Sequence, residues 1–273
     1  MQDKSKEKAF FDRFSAVKEY DVFTPYGYRS IIEDYLKLIG SRVAKKGTPG
    51  ETKQKFFGGS RGAIFQKSPP GRRRQEKIID LGCGTGNFTR RFAASYEARF
   101  FGLDISQKSA ALAARLDPGI NYCAGDIEHC CFKKENFDIV LFSGVLHHFE
   151  DYETCLREGF RLLKKGGCML SYDPNIKNPA MWLYRHPASP FFSKKGKTDN
   201  EQLLSVSQLA LSLQKTGFTN IDVHGIGGVT FKYVESRVGR LLLPFYNLFE
   251  ALLGLIPPAK KYGSFVIAYG EKA

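Results

Sequence analysis

From Lys77 onward the chain alternates short apolar runs with segments of helical period. Runs at 77–81, 99–104, 120–124, 137–142 and 168–173 predict strands. Stretches at 87–96, 106–116 and 151–164 predict the helices between them. Ser106 suits the N-cap of the second of these, and Asp117-Pro118-Gly119 ends it. Apolar runs alternating with helices are the pattern of an α/β fold, a doubly wound parallel sheet. A further helix opens at Ser205 or Ser207 and reaches Thr216. Gly217-Phe218 then leads into a strand at 219–226, and Ser264 to Tyr269 reads as the closing strand. Upstream, residues 6–40 read as helical with a break at Thr24-Pro25. Phe10, Phe11 and Phe14, then Ile31, Ile32, Tyr35, Leu36 and Ile39, fall at helical spacing.

Two stretches interrupt this alternation. Residues 174–204 form an insertion rich in Pro, aromatic and basic residues, among them Trp182, Tyr184, Phe191 and Phe192. Residues 241–256, from Leu241-Leu242-Leu243 to Leu255-Ile256, are strongly apolar, but Pro244, Asn247 and Glu250 make a poor membrane span. Three readings stay open: a lid over an apolar pocket, a core or dimer helix, or a helix on a membrane surface. Lys260-Lys261 would suit the last.

The candidate chemistry begins at Ile78-Ile79-Asp80-Leu81-Gly82-Cys83-Gly84-Thr85-Gly86-Asn87, a strand running into a glycine-rich turn. A dinucleotide fingerprint needs its third glycine at position 87, which is Asn87; here it comes one residue early, at Gly86. Asp80, ending the strand, is awkward beside a pyrophosphate but suits an ammonium group. The helix N-terminus that follows suits a carboxylate. Asp104 stands eighteen residues after Gly86, at the end of the second strand, where a carboxylate can hold both ribose hydroxyls.

With these residues the chain resembles the class I S-adenosylmethionine-dependent methyltransferases. Three more stretches match that pattern in order: Tyr122 to Ile127, Phe137 to Phe149, and Leu162-Leu163-Lys164-Lys165-Gly166-Gly167. The Leu146-His147-His148-Phe149 run resembles the branch that holds quinone-biosynthesis C-methyltransferases and many small-molecule methyltransferases. The resemblance is close over residues 77 to 174. It implies a seven-stranded, mostly parallel sheet of order 3-2-1-4-5-7-6 with the last strand antiparallel, and an N-terminal helical lid. It implies S-adenosyl-L-methionine as cofactor, held by Asp80, Gly82, Cys83, Gly84, Gly86, Asn87, Asp104, Ile105, Asp126, Ile127 and Ser143. Asp126 would meet the adenine amino group, or serve only as a turn cap after Gly125. His148 or His147 would be the base that deprotonates an acceptor, or both would merely pack and cap. The domains expected are a lid at 1–41, a basic flexible insertion at 42–76, and a core at 77–273 with lid insertions at 174–204 and 228–262.

Charge refines this picture. The net charge is +13, and +9 of it lies between Arg42 and Lys77, where eleven Lys or Arg face two Glu. That stretch also carries six Gly and three Pro, and reads as a solvated linker or, alternatively, a polyanion- or membrane-binding segment. The six cysteines form no C-x-x-C pair and no metal-ligand spacing, so reduced thiols and no metal are expected. The charged start, Met1 to Lys8, lacks an apolar core, so no secretory signal is expected and a cytoplasmic, or membrane-peripheral, protein is. The acceptor expected is a small molecule, apolar or lipid-like, given the aromatic insertions. Two alternatives are an RNA-modifying methyltransferase and a non-catalytic cofactor-binding protein. The fourth strand's loop lacks the Asn/Asp-Pro-Pro-aromatic run of nucleobase methylation, which argues against a nucleic acid. The complete glycine loop argues against the non-catalytic reading.

Overall fold

The structure, a computed structural model, describes residues 4–14, 21–46, 75–189, 201–234 and 237–273. Most of the basic stretch, and Phe191 and Phe192, lie outside these residues. Two helices come first, α1 (Lys4–Phe14) and α2 (Pro25–Lys46), so Arg42, Lys45 and Lys46 belong to α2. The sheet is then laid down by β1 (Lys77–Leu81), β2 (Arg99–Asp104), β3 (Asn121–Ala124), β4 (Phe137–Ser143), β5 (Leu163–Pro174), β6 (Thr219–Ile226) and β7 (Phe265–Glu271). Between them run α3 (Asn87–Ala93), α4 (Gln107–Leu116), α5 (Tyr152–Leu162), α6 (Pro179–Arg185), α7 (Val206–Thr216) and α8 (Arg237–Leu255).

The seven strands lie in the order β3-β2-β1-β4-β5-β7-β6. β1 pairs parallel with both β2 and β4, and β4 pairs parallel with β5. β7 runs antiparallel between β5 and β6. The chain leaves β1 toward β2 on one side and returns to β4 on the other, so the crevice at the carboxyl ends of β1 and β4 is where such a sheet takes ligands.

Period-two alternation sends neighbouring residues of one strand to opposite faces. Ile78, Ile139, Leu141 and Leu170 join Ile31, Tyr35, Phe88 and Phe92 on one face. Ile79, Leu81, Val140, Phe142 and Met169 join Leu156, Leu209 and Leu213 on the other. α4 starts as expected at Ser106, whose hydroxyl accepts from Ser109 N at 3.0 Å. β5 starts earlier than the apolar run suggests, because Leu163 pairs with Phe137 before a register shift leads to the pairing of Cys168 with Ile139.

Tyr35 sits fully buried, edge-on to Phe88 and Phe92, and its hydroxyl has no hydrogen-bond partner among the described residues. A buried hydroxyl without a partner costs more than a hydrogen atom in the same place. Tyr35→Phe is therefore expected to leave the fold intact and raise stability by about 1 kcal/mol in urea unfolding. A loss of similar size would show that the hydroxyl is satisfied.

Candidate functional site

The carboxyl ends of β1, β2 and β4 open onto a cavity of about 820 Å³, toward the upper end of the range for ligand sites. Of the residues expected to hold the cofactor, Gly82, Cys83, Gly84, Asn87, Asp104, Ile105, Asp126, Ile127 and Ser143 line it. Both histidines line it too. Asp80 and Gly86 do not: Asp80 is fully buried beneath the loop, and Gly86 precedes the first residue of α3.

Two glycines show why the turn needs its sequence. Gly82 has φ +77°, and a Cβ there would stand 2.4 Å from Val145 Cγ2. Gly84 has φ +53°, and a Cβ there would meet nothing within 4 Å, so it would jut into open space. Gly84 lines the cavity, so its bare backbone lets a ligand approach closely. The Gly84 N–H donates to Asp104 Oδ2 at 2.7 Å, and Ser106 N–H to Asp104 Oδ1 at 2.9 Å. Burial pushes the Asp104 carboxyl up to about 6, against those two bonds.

Asp80 Oδ2 accepts from Thr89 Oγ1 at 2.6 Å. Its Oδ1 is buried without a hydrogen-bond partner among the described residues. Ser143 stands close enough to lower the Asp80 pKa, yet its own Oγ is also without a bond of normal geometry. Burial outweighs these contacts and pushes the carboxyl up to about 7. Two orphaned polar atoms under a glycine loop, one an acid, fit the ammonium end of an amino-acid ligand.

Asp126 ends differently from the simplest expectation. Its Oδ1 accepts from Glu128 N at 3.0 Å, and its Oδ2 faces Lys4 Nζ of α1, which also pairs with Glu128. α1 is held at a second point by Asp12 Oδ1, which accepts from Ser106 Oγ at 2.5 Å. Phe11 then lies edge-on to the His148 ring at 5.3 Å. The N-terminal helix thus covers the β2–β3 side of the cavity.

The histidines follow β4 in a short helical turn, Leu146–His148. His147 Nδ1 lies 2.9 Å from Asp173 Oδ1, and the His147 backbone N–H donates to the same oxygen at 3.1 Å. An oxygen already accepting from the backbone accepts from the ring as well, and any proton on this acid would sit on Oδ2. The network therefore assigns the Nδ1 proton to His147 and the lone pair to Nε2. Burial, with His147 and Arg185 as neighbours, holds His148 well below the usual histidine range, so it stays neutral.

Asp173 is a residue of the site that sequence reasoning missed, since Asp173-Pro174-Asn175 stands at the end of β5 rather than in the loop after β4. Ser143 pairs in register with Tyr172, so the ends of β4 and β5 lie side by side and Asp173 falls next to the histidine turn. Adjacency of parallel β4 and β5 was the signal that could have found it. Glu201 was missed too; it is buried, pairs with Arg185 of α6, and brings a carboxylate within 4.8 Å of donor atoms on His147 and His148. Arg185 already supplies the positive charge there that a cation would bring.

The remaining wall is largely apolar, with Phe10 and Phe11 of α1, Phe23, Met181, Phe231 and Phe265, and carries Glu7, Arg13, Tyr28 and Tyr184 beside them. Phe23 and Phe231 form an antiparallel bridge, with Lys232 N–H donating to Val22 O at 2.8 Å. Of the aromatics in the 174–204 and 228–262 insertions, Tyr184, Phe231 and Tyr233 line the cavity, whereas Phe245 is 73% exposed on α8.

Residues 79–171 match a protein family described as Methyltransferase domain. Those residues carry the methyltransferase domain. It is 28% identical over 151 residues to demethylmenaquinone methyltransferase of Chlorobaculum parvum, covering 55% of this chain and 54% of that one. It is 27% identical over 174 residues to a ubiquinone biosynthesis O-methyltransferase of Neisseria meningitidis, covering 60% and 71%. The chain thus spans about half the length of the first of these relatives. The fold matches an S-adenosylmethionine-dependent methyltransferase of Thermotoga maritima with a TM-score of 0.57 at 18% identity, over 97% of this chain and 99% of that one. The methyltransferase domain match covers the glycine loop and the two orphaned atoms beneath it, Asp80 Oδ1 and Ser143 Oγ.

A carboxyl raised to about 7 pairs with an ammonium only once it has lost its proton. S-adenosylmethionine affinity is therefore expected to rise with pH up to about 7, by as much as about tenfold per unit below that point. Calorimetry between pH 5.5 and 8 measures this, and Asp80→Asn should lower the affinity and flatten the profile. A wild-type profile already flat would remove Asp80 from the ammonium.

Proposed function

We propose that the protein transfers a methyl group from S-adenosylmethionine to the oxygen, carbon or nitrogen of a small, largely apolar acceptor. The observation that carries this is the His147–Asp173 pair, which opens into the same cavity as the cofactor loop and the Phe10, Phe11, Phe23, Phe231 and Phe265 wall. Relatives named for demethylmenaquinone and ubiquinone biosynthesis agree with an apolar acceptor. Apolar side chains favour such an acceptor by roughly 25 cal/mol per Å² removed from water.

The bound cofactor supplies an activated methyl on a sulfonium. The protein's part is to orient both partners, exclude water and remove a proton. Asp80 and Ser143 receive the amino end of the cofactor, Asp104 the ribose, and the turn at Gly82 to Gly86 gives the close approach. Asp126 and Ile127 border the adenine. His147 takes the acceptor proton on Nε2, while Asp173 fixes its ring and stabilises the cation that forms. His148, kept neutral by burial, shapes the wall against Phe11. α1, the stretch from Val22 to Tyr28 and residues 231–234 close the cavity from two sides, and the protein works in the cytoplasm at the edge of a membrane. Among the described residues no helix is long and apolar enough to cross a membrane.

A methyl-transfer screen of apolar phenols, quinones and acyl compounds beside polar amines, sugars and RNA tests the acceptor class. Turnover is expected in the apolar set. His147→Ala should lower kcat by about 10²- to 10⁴-fold while leaving cofactor affinity unchanged. Asp173→Asn should lower kcat and shift its pH profile, and His148→Ala should act more weakly than either. Turnover limited to polar acceptors would overturn the apolar reading, and full activity in His147→Ala would remove the base.

A further inference from the structure

α8 is amphipathic with its polar side turned inward. Its one acid, Glu250, is fully buried. There it accepts from Asn178 Nδ2 at 2.8 Å and from Ser264 Oγ at 3.0 Å. Asn247 exchanges two hydrogen bonds with the Phe231 backbone, at 2.9 and 2.8 Å. Leu253 is buried on the same side. These contacts fix the helix rotation, and they leave the other side to solvent. Leu241 is 76% exposed, Phe245 73%, Leu248 62% and Leu255 72%. Leu242, Phe249, Leu252 and Ile256 are exposed beside them. At 100° per residue the eight fall within an arc of about 140°. Such a face is on the order of 800 Å², above the few hundred usual for a soluble monomer's largest patch.

The charges at the two ends of this stripe are mainly basic, with Glu235, just before the helix in sequence, the exception. Arg237 and Arg240 stand at its start, and Lys260 and Lys261 follow its end. No exposed acid lies on the helix, since Glu250 is inside. An antiparallel pairing with a second copy would set the arginine end of one helix against the lysine end of the other. An anionic surface instead matches the stripe and both ends at once. The arginine end also reaches the cavity, because Arg240 donates to the hydroxyl of Tyr233, a lining residue, at 3.1 Å.

We propose that the outer face of α8 docks on anionic lipid bilayers, lying in the interface with Leu241, Phe245, Leu248, Leu252 and Leu255 among the acyl chains and the four cations at the headgroups. This sets the Tyr233 rim of the cavity beside the bilayer, from which an apolar acceptor enters. The entry step rests on the acceptor reading above, whereas docking is measured with no substrate present, so failure of either is seen separately.

Flotation of the full chain with vesicles of phosphatidylcholine alone, and with about one-third phosphatidylglycerol, tests the docking. Strong binding is expected only to the anionic vesicles. Phe245→Asp with Leu252→Asp, both on the exposed face, should weaken it at least tenfold with no loss of thermal stability. Lys260→Glu with Lys261→Glu should weaken it and reduce its salt dependence. Binding that survives both double variants would trace to other cations of the chain and overturn the proposal. So would absence of binding, or a lipid-free dimer in sedimentation that the Phe245 and Leu252 changes dissociate.

Discussion

The carboxylate of Asp104 ties together the two loops that meet at the crevice. It ends β2, yet it holds the backbone of the glycine turn after β1 through Gly84, and the start of α4 through Ser106. It adds a side-chain hold to the backbone bonds of the turn, in which Gly86 N–H donates to Cys83 O and the Gly82 and Cys83 N–H groups donate to Leu103 O, and it does so where three glycines all take left-handed backbone. The anchor is itself costly, because a buried carboxyl is held near its protonation point. Binding strength in such a site comes from geometry already in place before the ligand arrives.

The sheet was legible because its signals are local. Strand runs and helix periods repeat within a dozen residues, and the glycine turn is read from consecutive letters. The order of the strands came from resemblance and is the order found. What was not legible depends on partners distant in sequence. Adjacent histidines look alike as letters; Asp173, twenty-six residues on, tells them apart. The run from Leu241 to Ile256 reads equally as a core helix, a lid or a surface helix. Its rotation is decided by Asn178, seventy-two residues before Glu250.

That inversion of α8 shows a general balance between burial and satisfaction. A glutamate goes inside when three donors and a closed backbone wait for it, because leaving those donors unmatched would cost more. Burial pushes Glu250 up to about 7, against the bonds it accepts from Asn178 and Ser264. The leucines are then outside by consequence rather than by preference.

Lys4 carries a consequence for the catalytic cycle. It bridges Asp126 and Glu128 from α1, which also meets the body at Ser106 and at the His148 ring. The Asp126 end of the cavity is thus covered by a helix fastened there by an ion pair. With the cofactor's nucleoside at that end, as proposed above, salt that weakens the ion pair would quicken release of the demethylated product and leave the step of bond exchange unchanged.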